Sequence, residues 1–217
     1  MTQAENRARM VAEQIAARGI RDPRVLDAMR AVPRELFVPE AMRHHAHADG
    51  ALPVGEGQTI SQPYMVALMA EAAALGPDDR VLEVGAGTGY AAAVFARLAR
   101  EVVALERIPK LAREARRRLE TLGLANVRLL DGDGTAGAPE HGTFDAILVS
   151  AAARAVPPAL PEQLVEGGRL IIPVGDPEVQ ELCRFVRRGD SLERSALGAV
   201  RFVPLVGGSE RAAKGGR

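Results

Sequence analysis

A short apolar strand that runs through a glycine-rich turn into a helix is the feature that most limits how this chain can fold. The strand is predicted over 80–84, the turn GAGTG lies at 85–89, and the helix is predicted over 88–99. Glycine permits the positive φ and the close backbone approach that a nucleotide-like ligand requires at such a turn. The pattern therefore predicts an α/β protein with a ligand at the end of this strand.

Strands and helices continue to alternate after this turn. The apolar pattern predicts further strands over 101–105, 127–130, 144–149 and 169–174, and helices over 109–122 and 157–165. Alternation of this kind is typical of parallel βαβ units in a doubly wound sheet, whose ligands lie at the carboxyl ends of the strands. Beyond these units, segments 180–187 and 199–206 are predicted to form a closing antiparallel pair.

The chain before the glycine-rich turn is predicted to be mainly helical. Apolar residues at helical spacing indicate helices over about 2–43, with a stop at Gly19 and a new start at Pro23. A further helix is predicted over 63–75. The intervening segment 49–62 is rich in glycine and proline, so it is predicted to be a loop, and a loop of this length usually carries function.

Charge balance and composition exclude several classes of partner. The 28 Lys and Arg residues balance 28 Asp and Glu residues, so no global field attracts nucleic acid or anionic membranes. The absence of Trp leaves little surface for stacking bases. Cys183 stands alone, and no acidic ligand is spaced with His44, His45 and His47, so neither a disulfide framework nor a metal site is expected. With no apolar run near the ~20 residues that span a bilayer, we expect a cytoplasmic protein.

Glu83 discriminates between the possible ligands of the glycine-rich turn. A carboxylate just before Gly85 repels phosphates but attracts an ammonium or sulfonium group, which favours S-adenosylmethionine over NAD. A dinucleotide site would also have Gly or Ala where Tyr90 stands, and a P-loop would need a Lys after the glycines. Glu106, which ends the second strand, is placed to accept hydrogen bonds from both ribose hydroxyls. Asp133, after the third strand, could accept one from an adenine amino group.

A methyl group from this donor needs an acceptor that is close to it and aligned with the departing sulfur. Segment 150–157 lacks the Asn-Pro-Pro-aromatic sequence associated with amino-methylation of bases. An ionised carboxylate, by contrast, is a nucleophile at pH 7 without a base, so hydroxyl and N–H donors suffice to orient it. Segment 57–63 offers such donors. Within it, Ser61 could orient an acceptor or cap the helix predicted from Pro63, and both roles stay open.

Several stretches of the sequence resemble the protein-L-isoaspartate (D-aspartate) O-methyltransferases. They are 32–39 (VPRELFVP), 57–65 (GQTISQPYM), 81–90 (VLEVGAGTGY), 132–134 with 144–145, 163–175, and 201–205 (RFVPL). The resemblance implies a Rossmann-like S-adenosylmethionine-dependent methyltransferase fold, which is a doubly wound, mostly parallel sheet with an N-terminal helical extension. It also implies methyl transfer to the free α-carboxylate of L-isoaspartyl residues, with D-aspartyl residues left open. The ester would close to a succinimide, whose hydrolysis returns some normal aspartyl linkage.

The resemblance further implies roles for individual residues. Ser61 matches the active-site serine, which would also contact the substrate. The residues that match contacts of the cofactor, released as S-adenosylhomocysteine, are Gln58, Thr59, Ile60, Ser61, Tyr64, Glu83, Gly85, Ala86, Gly87, Glu106, Arg107, Asp133 and Gly134. Val203, Pro204 and Leu205 match the strand against which the substrate backbone lies, so main-chain hydrogen bonds could recognise the substrate there.

These expectations define a domain organisation and a set of partners. We expect a single methyltransferase domain over 1–206, with a helical part and active-site loop (1–76), a Rossmann-like core (77–206) and a disordered tail (207–217). The expected partners are isoaspartyl-containing peptides and unfolded or aged proteins, without nucleic acid, membrane or an obligate protein partner.

Three residues depart from the family pattern, namely His47, Ala91 and Thr135. His47 and Thr135 are expected near the cleft, where they would alter peptide preference. Two other functions stay open. One is a carboxyl methyltransferase of the same fold that acts on a different aspartate or a small acid, and the other is a module that binds the cofactor without catalysis.

Overall fold

The structure is a computed structural model that describes residues 2–207. The tail predicted over 207–217 therefore lies outside the described residues except for Gly207, which is buried beside Thr135. Within the described range, no helix is both long enough and apolar enough to cross a membrane.

The N-terminal part is helical, as predicted, but its helices are short. α1 (Gln3–Met10) begins with a capping box in which the Thr2 hydroxyl accepts from the Glu5 N–H and the Glu5 carboxylate accepts from the Thr2 N–H. A π-helical turn and a 3-10 turn extend α1, and the chain then reverses at Gly19, whose φ is 99°. The predicted stop at this glycine is confirmed.

α2 (Pro23–Ala31) begins where it was predicted. The Asp22 carboxylate accepts a hydrogen bond from the Arg24 N–H, and Pro23 occupies the first turn. The prediction of helix up to residue 43 is wrong, because Pro33 and Pro39 interrupt it. Only short 3-10 turns follow α2, at 34–36 and 40–45.

The segment predicted as a loop over 49–62 contains a hairpin. β1 (Leu52–Gly55) pairs antiparallel with β2 (Gln58–Ile60), and the two residues between them, Glu56 and Gly57, both have positive φ. Such a two-residue turn matches the twist of a hairpin. α3 (Pro63–Ala73) follows within three residues of β2, so the hairpin and this helix together set the position of Ser61.

A seven-stranded sheet forms the centre of the molecule. Its strands are β3 (Arg80–Val84), β4 (Glu101–Glu106), β5 (Val127–Asp131), β6 (Phe144–Val149), β7 (Leu164–Asp176), β8 (Val179–Arg188) and β9 (Ser191–Val200). They lie in the order β5-β4-β3-β6-β7-β8-β9, with the first five parallel and β8 and β9 antiparallel. The strand order reverses between β3 and β6, which is where ligands bind in sheets of this type. The predicted doubly wound, mostly parallel sheet is confirmed.

Helices cover both faces of the sheet. The remaining helices are α4 (Tyr90–Phe95), α5 (Pro109–Thr121) and α6 (Ala159–Glu162). One apolar cluster joins the N-terminal helices, α3, α4 and α5 to residues such as Val81, and a second joins α6 to residues such as Leu82 and Val84. Neighbouring residues of β3 thus face opposite clusters, as the pleat of a strand requires.

Three predicted elements after β6 differ from the structure. α6 has only four residues instead of the predicted 157–165, and β7 already begins at Leu164. The predicted partner of β8 is also wrong, because β8 pairs with Ser191–Val200 and not with 199–206. Residues 203–205 instead run beside Ala152, which donates to the Val203 carbonyl oxygen at 2.8 Å and accepts from the Leu205 N–H at 2.7 Å.

Arg169 on β7 ties the sheet to the end of α3, so its removal should destabilise the fold. Its guanidinium donates to the Ala73 and Ala74 carbonyl oxygens and to the Asp79 carboxylate, and both charged side chains are largely buried. We expect Arg169→Met to lower the free energy of unfolding by about 2–4 kcal/mol, because it leaves a largely buried carboxylate without its cation. Urea denaturation measures this change. The exposed Arg97→Gln should stay within about 0.5 kcal/mol of the wild type, and equal losses in the two variants would contradict the assignment.

Candidate active site

The glycine-rich turn between β3 and α4 is held against the end of β4. The N–H groups of Gly85 and Ala86 both donate to the Leu105 carbonyl oxygen at 2.9 Å. Gly85 and Gly87 have φ values of 83° and 56°, a region that side-chain-bearing residues rarely adopt. The turn therefore exposes backbone rather than side chains at the point where the strand order reverses.

Glu83 is fully buried beneath this turn. Ser150 Oγ, at the end of β6, donates to Glu83 Oε1 at 3.5 Å, whereas Glu83 Oε2 has no hydrogen-bond partner within residues 2–207. Burial, with a smaller contribution from the negative charge of Glu106, raises the pKa of Glu83 to about 8. An unsatisfied buried carboxyl oxygen is costly, so this arrangement suits a site where a cationic ligand completes the contacts.

Glu106 ends β4 and links the glycine-rich turn to the start of α5. One of its carboxylate oxygens accepts from the Gly87 N–H and the other from the Ile108 N–H, both at 2.8 Å. Each carboxylate oxygen can accept a second hydrogen bond, so these contacts leave capacity for ligand hydroxyls. The neighbouring Arg107 is exposed.

Asp133 and Gly134 form a tight turn after β5. Asp133 Oδ1 accepts from the Thr135 N–H at 2.9 Å and from the Thr135 hydroxyl at 2.8 Å. A Cβ atom on Gly134 would overlap the Val84 side chain. Only glycine therefore lets this turn lie against the end of β3, where Asp133 comes close to the other strand ends.

Ser61 follows β2 and is half-buried. It is not the cap of α3, because the N-cap residue is Gln62 and no side chain caps this helix. Within residues 2–207 the Ser61 hydroxyl makes no hydrogen bond. Of the two roles that the sequence left open, helix capping is thus excluded, and the hydroxyl is available to a ligand.

Two cavities meet at Ser61. The larger, which we call the Ser61 cleft, has a volume of about 570 Å3. The smaller, the Glu83 cavity, has about 30 Å3 and extends from Glu83 to the glycine-rich turn. Both are lined by Thr59, Ser61 and Ser150. A group bound over the glycine-rich turn and a group bound in the Ser61 cleft would therefore face each other beside three hydroxyl side chains.

Most of the predicted site residues converge on this junction, but not all do. Ile60, Gly85, Ala86 and Gly87 line the Glu83 cavity, and Tyr64 and Val203 line the Ser61 cleft. Five predicted cofactor contacts line neither of these cavities, namely Gln58, Glu106, Arg107, Asp133 and Gly134. Pro204 and Leu205 line a third cavity of about 260 Å3, which we call the Leu205 cavity.

Several lining residues were missed by the sequence analysis. Ser150 could have been found, because it is the first polar residue after β6 at the reversal of strand order. Arg18 lines the Ser61 cleft, and so do Leu197 on β9 and Phe202. Phe202 lies within the 201–205 stretch, but no local motif identifies Arg18 or Leu197, since they come from opposite ends of the chain and only folding brings them together.

The three departures from the family pattern lie in different places. Thr135 supports Asp133, and Ala91 lines the Glu83 cavity. The expectation that His47 lies near the cleft is wrong, because it lines a separate cavity in the N-terminal part. There its Nε2 lies 3.3 Å from a Glu35 carboxylate oxygen, and burial lowers the pKa of His47 although Glu35 opposes this.

Comparisons with known proteins agree with this geometry. A relative from Methylorubrum extorquens (strain PA1) named protein-L-isoaspartate O-methyltransferase is 61% identical over 206 residues, covering 94% of this chain and 90% of the relative. One of the same name from Roseiflexus sp. (strain RS-1) is 56% identical over 203 residues, covering 94% and 93%. A Plasmodium falciparum structure described as a protein-L-isoaspartate O-methyltransferase in complex with S-adenosyl-L-homocysteine has a TM-score of 0.80 and 27% identity, and the match covers 92% of this chain and 98% of the other.

The family assignment rests on nearly the whole chain. Residues 5–210 match the model of the family described as protein-L-isoaspartate (D-aspartate) O-methyltransferase. This range includes the glycine-rich turn, Ser61 and the strand that leads to Val203. The chain therefore belongs to the protein-L-isoaspartate (D-aspartate) O-methyltransferase family.

Proposed function

We propose that the protein transfers the methyl group of S-adenosylmethionine to the free α-carboxylate of L-isoaspartyl residues in damaged peptides and proteins. This is the first step of repair through a succinimide. The observation that carries the proposal is the position of the Ser61 hydroxyl, which lies where the Ser61 cleft meets the Glu83 cavity and makes no hydrogen bond within residues 2–207. The Glu83 cavity, at about 30 Å3, has room only for the small part of the cofactor next to Glu83, and its junction with the Ser61 cleft is the proposed place of transfer.

The residues around the glycine-rich turn fit the cofactor. The unsatisfied Oε2 of Glu83 suits the cationic amino group, Glu106 suits the ribose hydroxyls, and Asp133 suits the adenine amino group. When bound, the cofactor supplies an electrophilic methyl group. Gly85 and Gly87 keep side chains out of its way, while the further proposed contacts are Gln58, Thr59, Ile60, Tyr64, Ala86, Arg107 and Gly134.

The acceptor needs orientation more than activation. A carboxylate carries no proton to lose at neutral pH, so no general base is required. The Ser61 O–H can donate to one carboxylate oxygen and leave the other directed at the methyl carbon. Ser150 cannot take this role as readily, because its hydroxyl donates to Glu83. Ser61 is therefore the proposed catalytic residue.

The proposed substrate contacts Val203, Pro204 and Leu205 differ in the main-chain hydrogen bonds that they can make with a peptide. Val203 lines the Ser61 cleft, but its carbonyl oxygen and the Leu205 N–H are already bonded to Ala152. Pro204 has no N–H, so a peptide beside this segment gains fewer main-chain bonds than an open strand would provide. Side chains of the Ser61 cleft must then contribute to recognition.

We also propose the partners, the location and the domain organisation of the protein. The partners would be isoaspartyl peptides and unfolded or aged proteins, whose flexible backbone can enter an open cleft. A cytoplasmic location is consistent with Cys183, a buried free thiol. The organisation is a single domain over 1–206, in which apolar contacts join the N-terminal helices to the sheet without a break.

A matched peptide pair tests this function. The two peptides carry one isoaspartyl or one normal aspartyl linkage, and methyl ester formation from labelled S-adenosylmethionine is followed over time. We expect base-labile ester on the isoaspartyl peptide alone, and a loss of kcat of about 10²-fold in Ser61→Ala, because one oriented donor is removed at the reacting centre. The exposed Ser195→Ala serves as control. Ester on neither peptide, despite saturable cofactor binding, would overturn the proposal in favour of another carboxylate or of binding without catalysis.

A further inference from the structure

The charged side chains that line the Ser61 cleft have one sign. They are Arg18 and Arg201, and among residues 2–207 no Asp or Glu lines this cleft. The Leu205 cavity, which shares Arg201 and Phe202 with the Ser61 cleft, adds Arg154, whose guanidinium lies 3.5 Å from the Asp176 carboxylate, and no acidic lining residue from the described part of the chain. The chain as a whole carries no net charge, so this is a local feature and not a reflection of composition.

Arg18 is held in place by its neighbours. Its guanidinium carbon lies 3.8 Å from the centre of the Tyr64 ring, and one guanidinium nitrogen lies 3.3 Å from each carboxylate oxygen of Asp49. Asp49 also accepts from the Gln62 side chain at 2.6 Å, so its charge is shared. The Arg18 side chain is 43% exposed. A guanidinium stacked on a ring keeps its edge donors free for a second carboxylate.

Arg201 is fixed by the backbone that follows it. The buried Gln180 accepts from the Phe202 N–H at 2.7 Å and donates to the Phe202 carbonyl oxygen at 3.2 Å. Arg201 itself is exposed and has no ion-pair partner within residues 2–207. Because it lines both the Ser61 cleft and the Leu205 cavity, a peptide running from one to the other passes this side chain.

We propose that Arg18 and Arg201 select isoaspartyl peptides whose neighbouring side chains are acidic. This inference rests on the proposed function and concerns the peptide around the reacting residue. The α-carboxylate loses its negative charge when it accepts the methyl group. The two arginines therefore keep a favourable interaction throughout the reaction only with acidic side chains of the peptide, whose charge does not change. Two arginines without acidic lining residues attract Asp or Glu side chains of the substrate and repel Lys or Arg side chains. Both arginines are solvent-accessible, so the preference should be moderate and salt-sensitive.

Three peptides of one length provide the test. Each has a central isoaspartyl residue and carries Glu, Gln or Lys on either side of it, and kcat/KM is measured at low ionic strength. We expect kcat/KM to fall in the order Glu, Gln, Lys, with about tenfold between the first and the last. Raising the salt to 0.5 M should reduce this spread, since the Debye length falls to a few Å.

Charge-removing variants assign the preference to the two arginines. Arg18→Gln combined with Arg201→Gln should narrow the spread between the Glu and Lys peptides to within about twofold, while Arg97→Gln, exposed and outside both cavities, should leave it as in the wild type. The melting temperature of each variant is measured alongside.

The possible outcomes separate this inference from the proposed function. Absence of methylation on all three peptides would overturn the proposed function itself. Methylation of all three with equal kcat/KM would overturn only the acidic preference. A tenfold spread that persists in the double variant would also overturn it, because the selection would then come from elsewhere in the protein.

Discussion

Glu83→Gln is expected to weaken S-adenosylmethionine binding by a factor of about ten to one hundred and to stabilise the cofactor-free protein at pH 8. Binding weakens because a neutral amide replaces the carboxylate that would face the cationic amino group, and a hydrogen bond to a charged group contributes roughly 1.5–3 kcal/mol. Stability rises because Gln resembles the neutral form that burial already favours. Isothermal titration and thermal unfolding measure the two effects.

The pH dependence of stability follows from the raised pKa of Glu83. Its folded-state pKa is about 8, against an ordinary value of 4.5. The stability that the neutral carboxyl contributes is therefore complete below about pH 4.5 and is lost as the pH rises to about 8, at roughly 1.4 kcal/mol per pH unit. Glu83→Gln should not show this loss, so the variant and the wild type should diverge across that window.

Binding should show the opposite pH trend. Below pH 8 the Glu83 carboxyl of the free protein holds a proton that a cationic ligand must displace, so affinity should rise with pH and level off above about 8. Titrations in two buffers of different ionisation enthalpy would detect the released proton. The exposed Glu120→Gln is the control. A Glu83→Gln protein that binds the cofactor as tightly as the wild type would contradict the proposed contact.

Gly134→Ala is expected to lower the free energy of unfolding by about 2–3 kcal/mol. The added Cβ overlaps Val84, so either the end of β3 or the turn that carries Asp133 must move. The φ of Gly134 is not positive, so the cost comes from crowding and not from backbone strain. Movement of this turn should also weaken cofactor binding. Urea denaturation and titration with S-adenosylhomocysteine follow the two effects.

A double variant distinguishes crowding from other causes. Val84→Ala removes the methyl groups that the new Cβ meets. The loss in free energy of unfolding of Val84→Ala/Gly134→Ala should therefore be about 1–3 kcal/mol smaller than the sum of the losses of the two single variants. Gly50→Ala is the matched control, because its Cβ would meet no atom within 4 Å. If the two single losses in free energy of unfolding are strictly additive, contact with Val84 is not the cause of the destabilisation by Gly134→Ala.

The sequence predicted the core of the fold, the enzyme class, its cofactor and its family, and these predictions are confirmed. Strand ends could be placed because Glu83 lies one residue before the end of an apolar run, and Glu106 and Asp133 closely follow two others. β9 was misplaced because Ser191–Val200 is mostly exposed and includes Gly198, so no alternating pattern marks it as a strand. The Ser61 cleft could not be assembled in advance, since Arg18 and Leu197 meet only through tertiary packing. The individual site roles stay predictions until variants are measured.

The Ser61 cleft and the Glu83 cavity share few lining residues, so the residues of one can change during evolution without changing those of the other. Among the described residues, only Thr59, Ser61 and Ser150 line both the Ser61 cleft and the Glu83 cavity. Leu197 and Phe202 can therefore change during evolution and alter the range of peptide substrates, while the residues that bind the methyl donor stay the same. A directed-evolution library restricted to the cleft residues other than those three and Tyr64, a proposed cofactor contact, would explore new substrates with little risk to methyl donation.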